Sequence, residues 1–443
     1  MNPDATLLQG GQPLLLRARQ LLTMNADPDA LREPPPAGDL ARLRERDARI
    51  TGLIEDGAVL VEGDRIAWVG PWAAVPKADL QRAHLIEVDC VTPGWIDCHT
   101  HAVFAGSRHD EFTLRNLGAR YLDILAAGGG ILSSVKSARA ARRRDLTNLL
   151  IQRCFDATRR GITTLEVKSG YGLHLDAEIK QLQAIQEARP EVLLDLDATF
   201  LGAHVVPAEL RDRREVYIDK LCHEMIPEVA RRDLARFCDV FCDQGAFTAA
   251  EAERILLVGA EHGLIPRIHA DELSDAGGAL LAARLGAASA DHLEFITDDA
   301  IAALASARVV AVLLPGVNLF LQMERHAPAR ALLEAGVQVA LSTDFNPGTS
   351  CTQDLGLILT LACTGYKMTP GEALVGVTRA AAAALRRSDR GVLAPGMRAD
   401  LTVLGLEDYW QIPYMPGHNF IEGVIRAGEL MYWVSAEELH EQD

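Results

Sequence analysis

The residues with most to offer chemistry are four histidines and an aspartate: His99 and His101 in Asp97-Cys98-His99-Thr100-His101, His269 in Ile268-His269-Ala270-Asp271-Glu272, His292 in Ala290-Asp291-His292, and Asp344 in Ser342-Thr343-Asp344-Phe345-Asn346. His99 and His101 are two positions apart, so on an extended strand they leave from the same face and can grip one ion. The other three each end or follow a short apolar run. Three imidazole nitrogens and one carboxylate suit Zn²⁺ or a similar divalent ion, with room left for a water. Such an ion brings the pKa of that water down towards ~7 and supplies hydroxide at neutral pH. Metal-assisted hydrolysis is the chemistry to expect. A two-metal site would call for a bridging carboxylate or modified lysine on a middle strand. Phe237-Cys238-Asp239-Val240-Phe241 has no lysine, so one metal is expected.

These positions must be brought together by the elements that carry them. Eight strand-like runs occupy the middle of the chain: Trp95–His101, Thr163–Lys168, Leu194–Phe200, Cys238–Phe241, Ile265–His269, Ala288–His292, Val309–Leu314 and Val337–Ser342. Stretches with helical spacing separate several of them, such as Ala249–His262 and Asp298–Ser306. Eight strands alternating with helices predict an α/β protein built on a (β/α)8 TIM-like barrel. A doubly wound open sheet competes, but no GxGxxG follows the first strand. In a barrel, the strand ends carrying the histidines and Asp344 meet at the C-terminal face.

The barrel is assigned to residues 90–390. Residues 1–89 contain alternating runs, Ala58–Val61 and Arg65–Val69, separated by Glu62-Gly63-Asp64, and read as a β layer. Pro34-Pro35-Pro36 and Gly38 mark an irregular insertion. Residues 391–443 add strands at Ala399–Leu404 and Gly423–Arg426, which return to the first layer and complete a small β-sandwich. Ala380–Ala384 reads as a packing helix, Arg139–Arg144 as a solvated helix face, and Val317-Asn318-Leu319-Phe320 as a loop in a pocket wall.

Composition narrows the class further. The 443 residues are 49% hydrophobic and 24% charged, as in an ordinary globular protein. Lys+Arg 44 against Asp+Glu 61 gives a net charge of −17, which argues against nucleic acid as a partner and requires a local basic site for an anionic substrate. Eight cysteines without a CxxC pair read as reduced thiols; Cys98, Cys238 and Cys242 are expected to be buried rather than ligating. The first residues lack a basic segment before a hydrophobic one, so no signal peptide is expected. The apolar stretch between Arg308 and Glu324 is shorter than the ~20 residues of a spanning helix and is broken by Pro315 and Gly316. A cytoplasmic protein with no membrane partner is expected.

Pro93-Gly94-Trp95-Ile96-Asp97-Cys98-His99-Thr100-His101 and Gly396-Met397-Arg398-Ala399-Asp400-Leu401 resemble the opening and the closing return of amidohydrolase-superfamily barrels. A narrower resemblance, to the imidazolonepropionase family, covers roughly Val91 to Leu404. It is carried by His101–Arg108, Ala127-Gly128-Gly129-Gly130-Ile131, Glu166-Val167-Lys168-Ser169-Gly170-Tyr171-Gly172-Leu173 and Leu201-Gly202-Ala203-His204. His269-Ala270-Asp271-Glu272-Leu273, Ser289-Ala290-Asp291-His292-Leu293-Glu294 and Thr343-Asp344-Phe345-Asn346-Pro347-Gly348-Thr349-Ser350 extend it.

That resemblance implies that His99, His101, His269 and Asp344 hold one Zn²⁺ or Fe³⁺ per subunit, in a homodimer. It places Arg108, Tyr171, His204, Glu272, Asn346, Gly348 and Thr349 around a small anionic substrate, with His292 beside the carbonyl under attack. The implied reaction opens the ring of imidazolone-5-propionate to N-formimidoyl-L-glutamate. In that reaction Asp344 passes a proton from water to the departing nitrogen, His292 supports the oxyanion, and Glu272 orients ring or water. The guanidinium of Arg108 suits the propionate, the Tyr171 hydroxyl can donate, and the Gly348-Thr349 backbone can approach the ligand closely.

Each residue also has a plainer reading: His204 as a hydrogen-bonded core residue, Tyr171 as the closure of a turn, Arg108 as a surface ion pair. Two other functions compete. A deaminase of the same superfamily would share the metal residues but would have less use for Arg108 and Tyr171. A non-catalytic scaffold would be marked by loss of a ligand, and none of the four is missing.

Overall fold

The computed structural model describes residues 12–25, 27–119 and 129–434. The first residues of the chain, and Ala127 and Gly128 of the glycine-rich segment, lie outside the described residues.

Apolar runs from the middle of the chain form an eight-stranded parallel sheet in chain order: β5 (Trp95–Asp97), β6 (Ile162–Lys168), β7 (Asp195–Ala203), β8 (Phe237–Cys242), β9 (Ile265–Ala270), β10 (Ser289–His292), β11 (Val310–Leu313) and β12 (Val339–Leu341). Every residue of β10, β11 and β12 is buried, as expected of parallel strands covered on both faces. The first and last strands meet beyond their ends: Asp344 N donates to His99 O (3.1 Å) and His101 N to Phe345 O (2.9 Å). This is the α/β near-barrel that the alternation predicts.

The expected first strand is longer than the observed one. β5 stops at Asp97, and the backbone around His99 and His101 is held by other partners. His99 N donates to Ser342 Oγ (2.7 Å) and Thr100 N to Glu166 Oε2 (3.0 Å). Side chains of the neighbouring strands thus fix the two histidines where the ladder has ended.

The two ends of the chain form one seven-stranded mixed sheet, ordered β15-β14-β13-β4-β1-β2-β3. It comprises β1 (Leu14–Leu22), β2 (Leu53–Glu62), β3 (Arg65–Pro71), β4 (His84–Pro93), β13 (Leu401–Leu404), β14 (Ile421–Arg426) and β15 (Glu429–Trp433). Leu14, Val59 and Ile66 share one apolar cluster with Val403 and Ile425, and Leu430 and Trp433 pack against it. Strands from both edges therefore meet, so the sheet curls over its own core. β4 leads directly into β5, which ties this layer to the barrel.

Two local expectations are corrected. Val317–Phe320 lies in a helix, Pro315–Leu321, rather than a loop, because Pro315 occupies a first-turn position where its fixed φ favours helix. Arg139–Arg144 spans the end of one helix (Ile131–Ala140) and the start of the next (Arg143–Thr158), so it is no single face. Arg139 Nε donates to Gly172 O (2.6 Å).

The proline-rich insertion leads into a helix, Leu40–Thr51, capped by Asp39 and ended by Gly52 at φ +60°. Its buried Arg46 and Asp47 dock on the barrel helix Pro370–Gly376. Arg46 Nη2 lies 2.6 Å from Glu372 Oε1, while Thr369 Oγ1 and Gly371 N donate to Asp47 at 2.7 and 2.9 Å. The eight cysteines are unpaired. Among the described residues, no helix is long and apolar enough to cross a membrane.

Candidate active site

The histidine pair beyond β5 and His269 on β9 converge, and their ligand atoms lie within 4.8 Å of one another. His99 Nε2 and His101 Nε2 face the same oxygen, Asp344 Oδ1, at 3.3 and 3.2 Å. His269 Nε2 is 3.5 Å from His101 Nε2. The opposite ring edges are tethered: His99 Nδ1 lies 2.6 Å from Asp291 Oδ2, and His269 Nδ1 lies 3.1 Å from Asp239 Oδ1. Carboxylates behind the rings aim Nε2 at the common point, as they do behind metal-ligating histidines.

A charged network supports those carboxylates. Lys168 Nζ bridges Glu166 (3.0 Å) and Asp239 (2.9 Å), and Arg267 Nη2 lies 3.0 Å from Asp291 Oδ2. All five side chains are fully buried. Burial and Arg267 oppose the charge on Lys168, but Asp239, Glu166 and Asp291 hold its pKa above the ordinary value. Sequence reading assigned this network no role. Its signal was a lysine, an arginine and acids inside otherwise apolar strands, where a charge must have a partner.

The donor set fits a divalent metal. Burial, then neighbouring positive groups, lowers the pKa of His99 and His101 well below the usual range, so both are neutral with a lone pair to offer. His99 Nε2 and Asp344 Oδ1 are buried and have no hydrogen-bond partner among the described residues. A cation would meet both needs, and nitrogen-rich donors suit it. Burial pushes the Asp344 carboxyl up to about 7.

The site opens into a cavity of ≈ 560 Å³ lined by Arg108, Tyr171, His204, Glu272, His292, Asn346 and Thr349 among others. His204 Nδ1 donates to Gly170 O (3.1 Å), while its ring stacks 5.2 Å from that of His101. Tyr171 is buried, its ring 5.9 Å from His101. Asn346 Nδ2 donates to Asp344 Oδ2 (2.9 Å), and Asn346 Oδ1 accepts from the Gly348 and Thr349 N–H groups (both 2.8 Å). A β-carbon on Gly348 would overlap the Arg108 guanidinium, which explains the glycine there. His292 Nε2 stands 3.7 Å from Glu272 Oε2. Burial, then Glu294 and Asp344, raises the Glu272 pKa well above the carboxylate range; burial, then His269, lowers that of His292. Asp271, His292, Leu293 and Asp344 all have positive φ, so backbone strain gathers around the cavity. Phe241 and Arg115 also line it and were not singled out from sequence.

The sequence profile of the amidohydrolase family matches residues 116–432, and that of an imidazolonepropionase-like composite domain of bacteria matches residues 57–84. The chain is 44% identical to an imidazolonepropionase of Shouchella clausii (strain KSM-K16) over 423 residues, 94% of this chain and 92% of the relative. It is 46% identical to one from Myxococcus xanthus (strain DK1622), covering 84% of this chain and 90% of the relative. In fold it resembles an adenosine deaminase from Xanthomonas campestris with bound zinc (TM-score 0.65, 18% identity, 97% of this chain and 96% of that one). Guanine deaminase from C. acetobutylicum is similar too (TM-score 0.67, 15% identity, 95% of this chain and 100% of that one). At this identity the two deaminases speak for the fold alone. A buried three-histidine metal group in a parallel near-barrel, together with close full-length relatives, leads to one assignment: the chain belongs to the imidazolonepropionase family of amidohydrolases.

Proposed function

We propose that the chain hydrolyses 4-imidazolone-5-propanoate to N-formimidoyl-L-glutamate, a step of histidine degradation. The observation that carries this reading is the approach of His99 and His101 Nε2 to Asp344 Oδ1 in a cavity that also holds arginine side chains. His99, His101, His269 and Asp344 would hold one Zn²⁺ or Fe³⁺ per subunit. When bound, the ion supplies the Lewis acidity that activates water and carbonyl at neutral pH.

Ring opening joins a water oxygen to the carbonyl carbon and breaks that carbon's bond to the ring nitrogen. One proton must leave the water and one must reach the nitrogen. Asp344, whose carboxylate reaches the same point as the histidine nitrogens, carries that proton from the water to the nitrogen. Asn346 Nδ2 holds the other Asp344 oxygen in place. Neutral His292 donates an N–H to the oxyanion that develops on the carbonyl. Glu272, whose pKa burial raises well above the carboxylate range, orients the ring by hydrogen bonding. Tyr171, its hydroxyl pKa likewise raised, stays a phenol and donates to the substrate. Arg108 receives the propionate, beside the Gly348-Thr349 turn. The enzyme is proposed to work as a homodimer.

The test is ultraviolet decay of fresh imidazolone-5-propionate with chelated protein and with metal restored. Metal-dependent loss of absorbance, with formimidoylglutamate as product, is expected. A folded, metal-loaded sample without turnover overturns the reading and directs the search to deaminase substrates.

A further inference from the structure

The helix His109–Asn116 presents three charged groups near the cavity: Arg108 at its start, Glu111 one turn on, and Arg115 after one more. Glu111 is committed. Its Oε2 accepts from Arg108 Nε (2.9 Å) and lies 2.8 Å from Arg108 Nη2, and its Oε1 accepts from Gly130 N (3.0 Å). The charge of Arg108 is therefore already balanced before any ligand arrives.

Arg115 is in the opposite position. Its Nη2 donates to the neutral carbonyl of Gly348 (2.8 Å), and its Nε is buried without a hydrogen-bond partner among the described residues. Among those residues no carboxylate forms a salt bridge with it. Glu111 acts on it only at a distance, so this half-buried guanidinium bears a desolvation cost that no contacting carboxylate among the described residues offsets. Burial, then the charge of Arg108, lowers its pKa while the Glu111 carboxylate raises it, and an anion bound beside it would favour the charge further. Both arginines line the cavity that contains Tyr171, Asn346 and Asp344.

We infer that Arg115 is a specificity-determining residue that binds the carboxylate tail of the substrate and supplies the net positive charge that Arg108, paired with Glu111, does not. This rests on the function proposed above. It divides the anion subsite in two: Arg108, held by Glu111 through Nε and Nη2, offers its remaining Nη1 hydrogens in a fixed position, and Arg115 contributes the charge that distinguishes a carboxylate from a neutral group of the same shape.

The test measures calorimetric binding of two probes to the metal-loaded protein: 3-(imidazol-4-yl)propanoate and its neutral amide. Wild type, Arg115→Gln and Arg115→Lys are compared. Arg115→Gln is expected to weaken the carboxylate probe by about tenfold or more, the loss typical of a charge-assisted hydrogen bond, with the amide changed less than about twofold. Arg115→Lys is expected to recover part of the loss, since it restores charge without the fork. Equal weakening of both probes would mean that Arg115 only holds the Gly348 turn, and would overturn the inference. So would unchanged binding of both, or a wild type that does not prefer the carboxylate. Turnover of the imidazolone by the wild type is read separately. If turnover fails while the carboxylate preference still depends on Arg115, the proposed function falls and the Arg115 assignment stands.

Discussion

Asp291 Oδ2 stands 2.6 Å from His99 Nδ1, so an acid on β10 orients a histidine that lies beyond β5. Arg267 holds the same oxygen at 3.0 Å and thereby fixes the acid in turn. Asp291→Asn would leave the ligand in place but loosen its aim. Metal affinity is expected to fall by about 10–100-fold, the usual cost of losing such an outer partner. Chelator competition with zinc measures it, and an unchanged dissociation constant would show that Asp291 does not orient the ligand.

Gly348 tests the other end of the cavity. A β-carbon there meets the tip of a flexible arginine rather than backbone, so the fold should adjust by moving Arg108. Gly348→Ala is expected to raise KM for the imidazolone by roughly tenfold, the scale of one displaced charge-assisted contact, with little change in Tm. A large loss of Tm with KM unchanged would place the glycine's role in folding.

The docking of the N-terminal helix should register in stability. Glu372 is fully buried and accepts from Arg46 at 2.6 Å and from Arg330 at 2.5 and 2.9 Å. Glu372→Gln strands two guanidinium groups, and breaking a buried pair in this way costs about 3–5 kcal/mol. Chemical denaturation would report it as a lowered midpoint. A midpoint within error of wild type would mean that solvent reaches the cluster.

Asp47 gives this contact a pH dependence. Burial is the largest cause raising its carboxyl to about 6, against an ordinary value of 3.8, despite the hydrogen bonds from Thr369 and Gly371. Because the folded pKa is raised, the stability this group contributes is complete below about pH 4 and lost as pH rises through about 6. The span corresponds to about 3 kcal/mol at 1.36 kcal/mol per unit. Asp47→Asn should therefore gain stability relative to wild type between pH 4 and pH 7. Parallel stability curves for the two proteins would contradict this.

Much of the site was legible in the chain because its signals are local. The two-residue spacing of His99 and His101, the eight apolar runs and the position of His269, His292 and Asp344 at their ends depend only on strand periodicity and chain order. The helix Leu40–Thr51 and strands β1, β4 and β15 were not legible. The helix is strongly polar, and its buried face carries Arg46, Asp47 and Thr51 beside a single apolar residue, Ile50, too few to give an apolar periodicity.

What the sequence by itself determined is the set of candidate metal-binding groups and the alternating architecture that lets them meet. Only the tertiary structure decided how each is held. Parallel register sets Asp291 beside His269 on β9 and Phe241 opposite that same histidine. Closure of the barrel brings Asp344 to His99 across 245 positions of sequence. It also sets Lys168 between Glu166 and Asp239, and leaves Arg115 without a salt bridge among the described residues while Arg108 is met by Glu111. The physical reason is that residue type and period fix which face a side chain leaves from. Its electrostatic partner comes from another strand or loop, and is determined only when the whole sheet has closed.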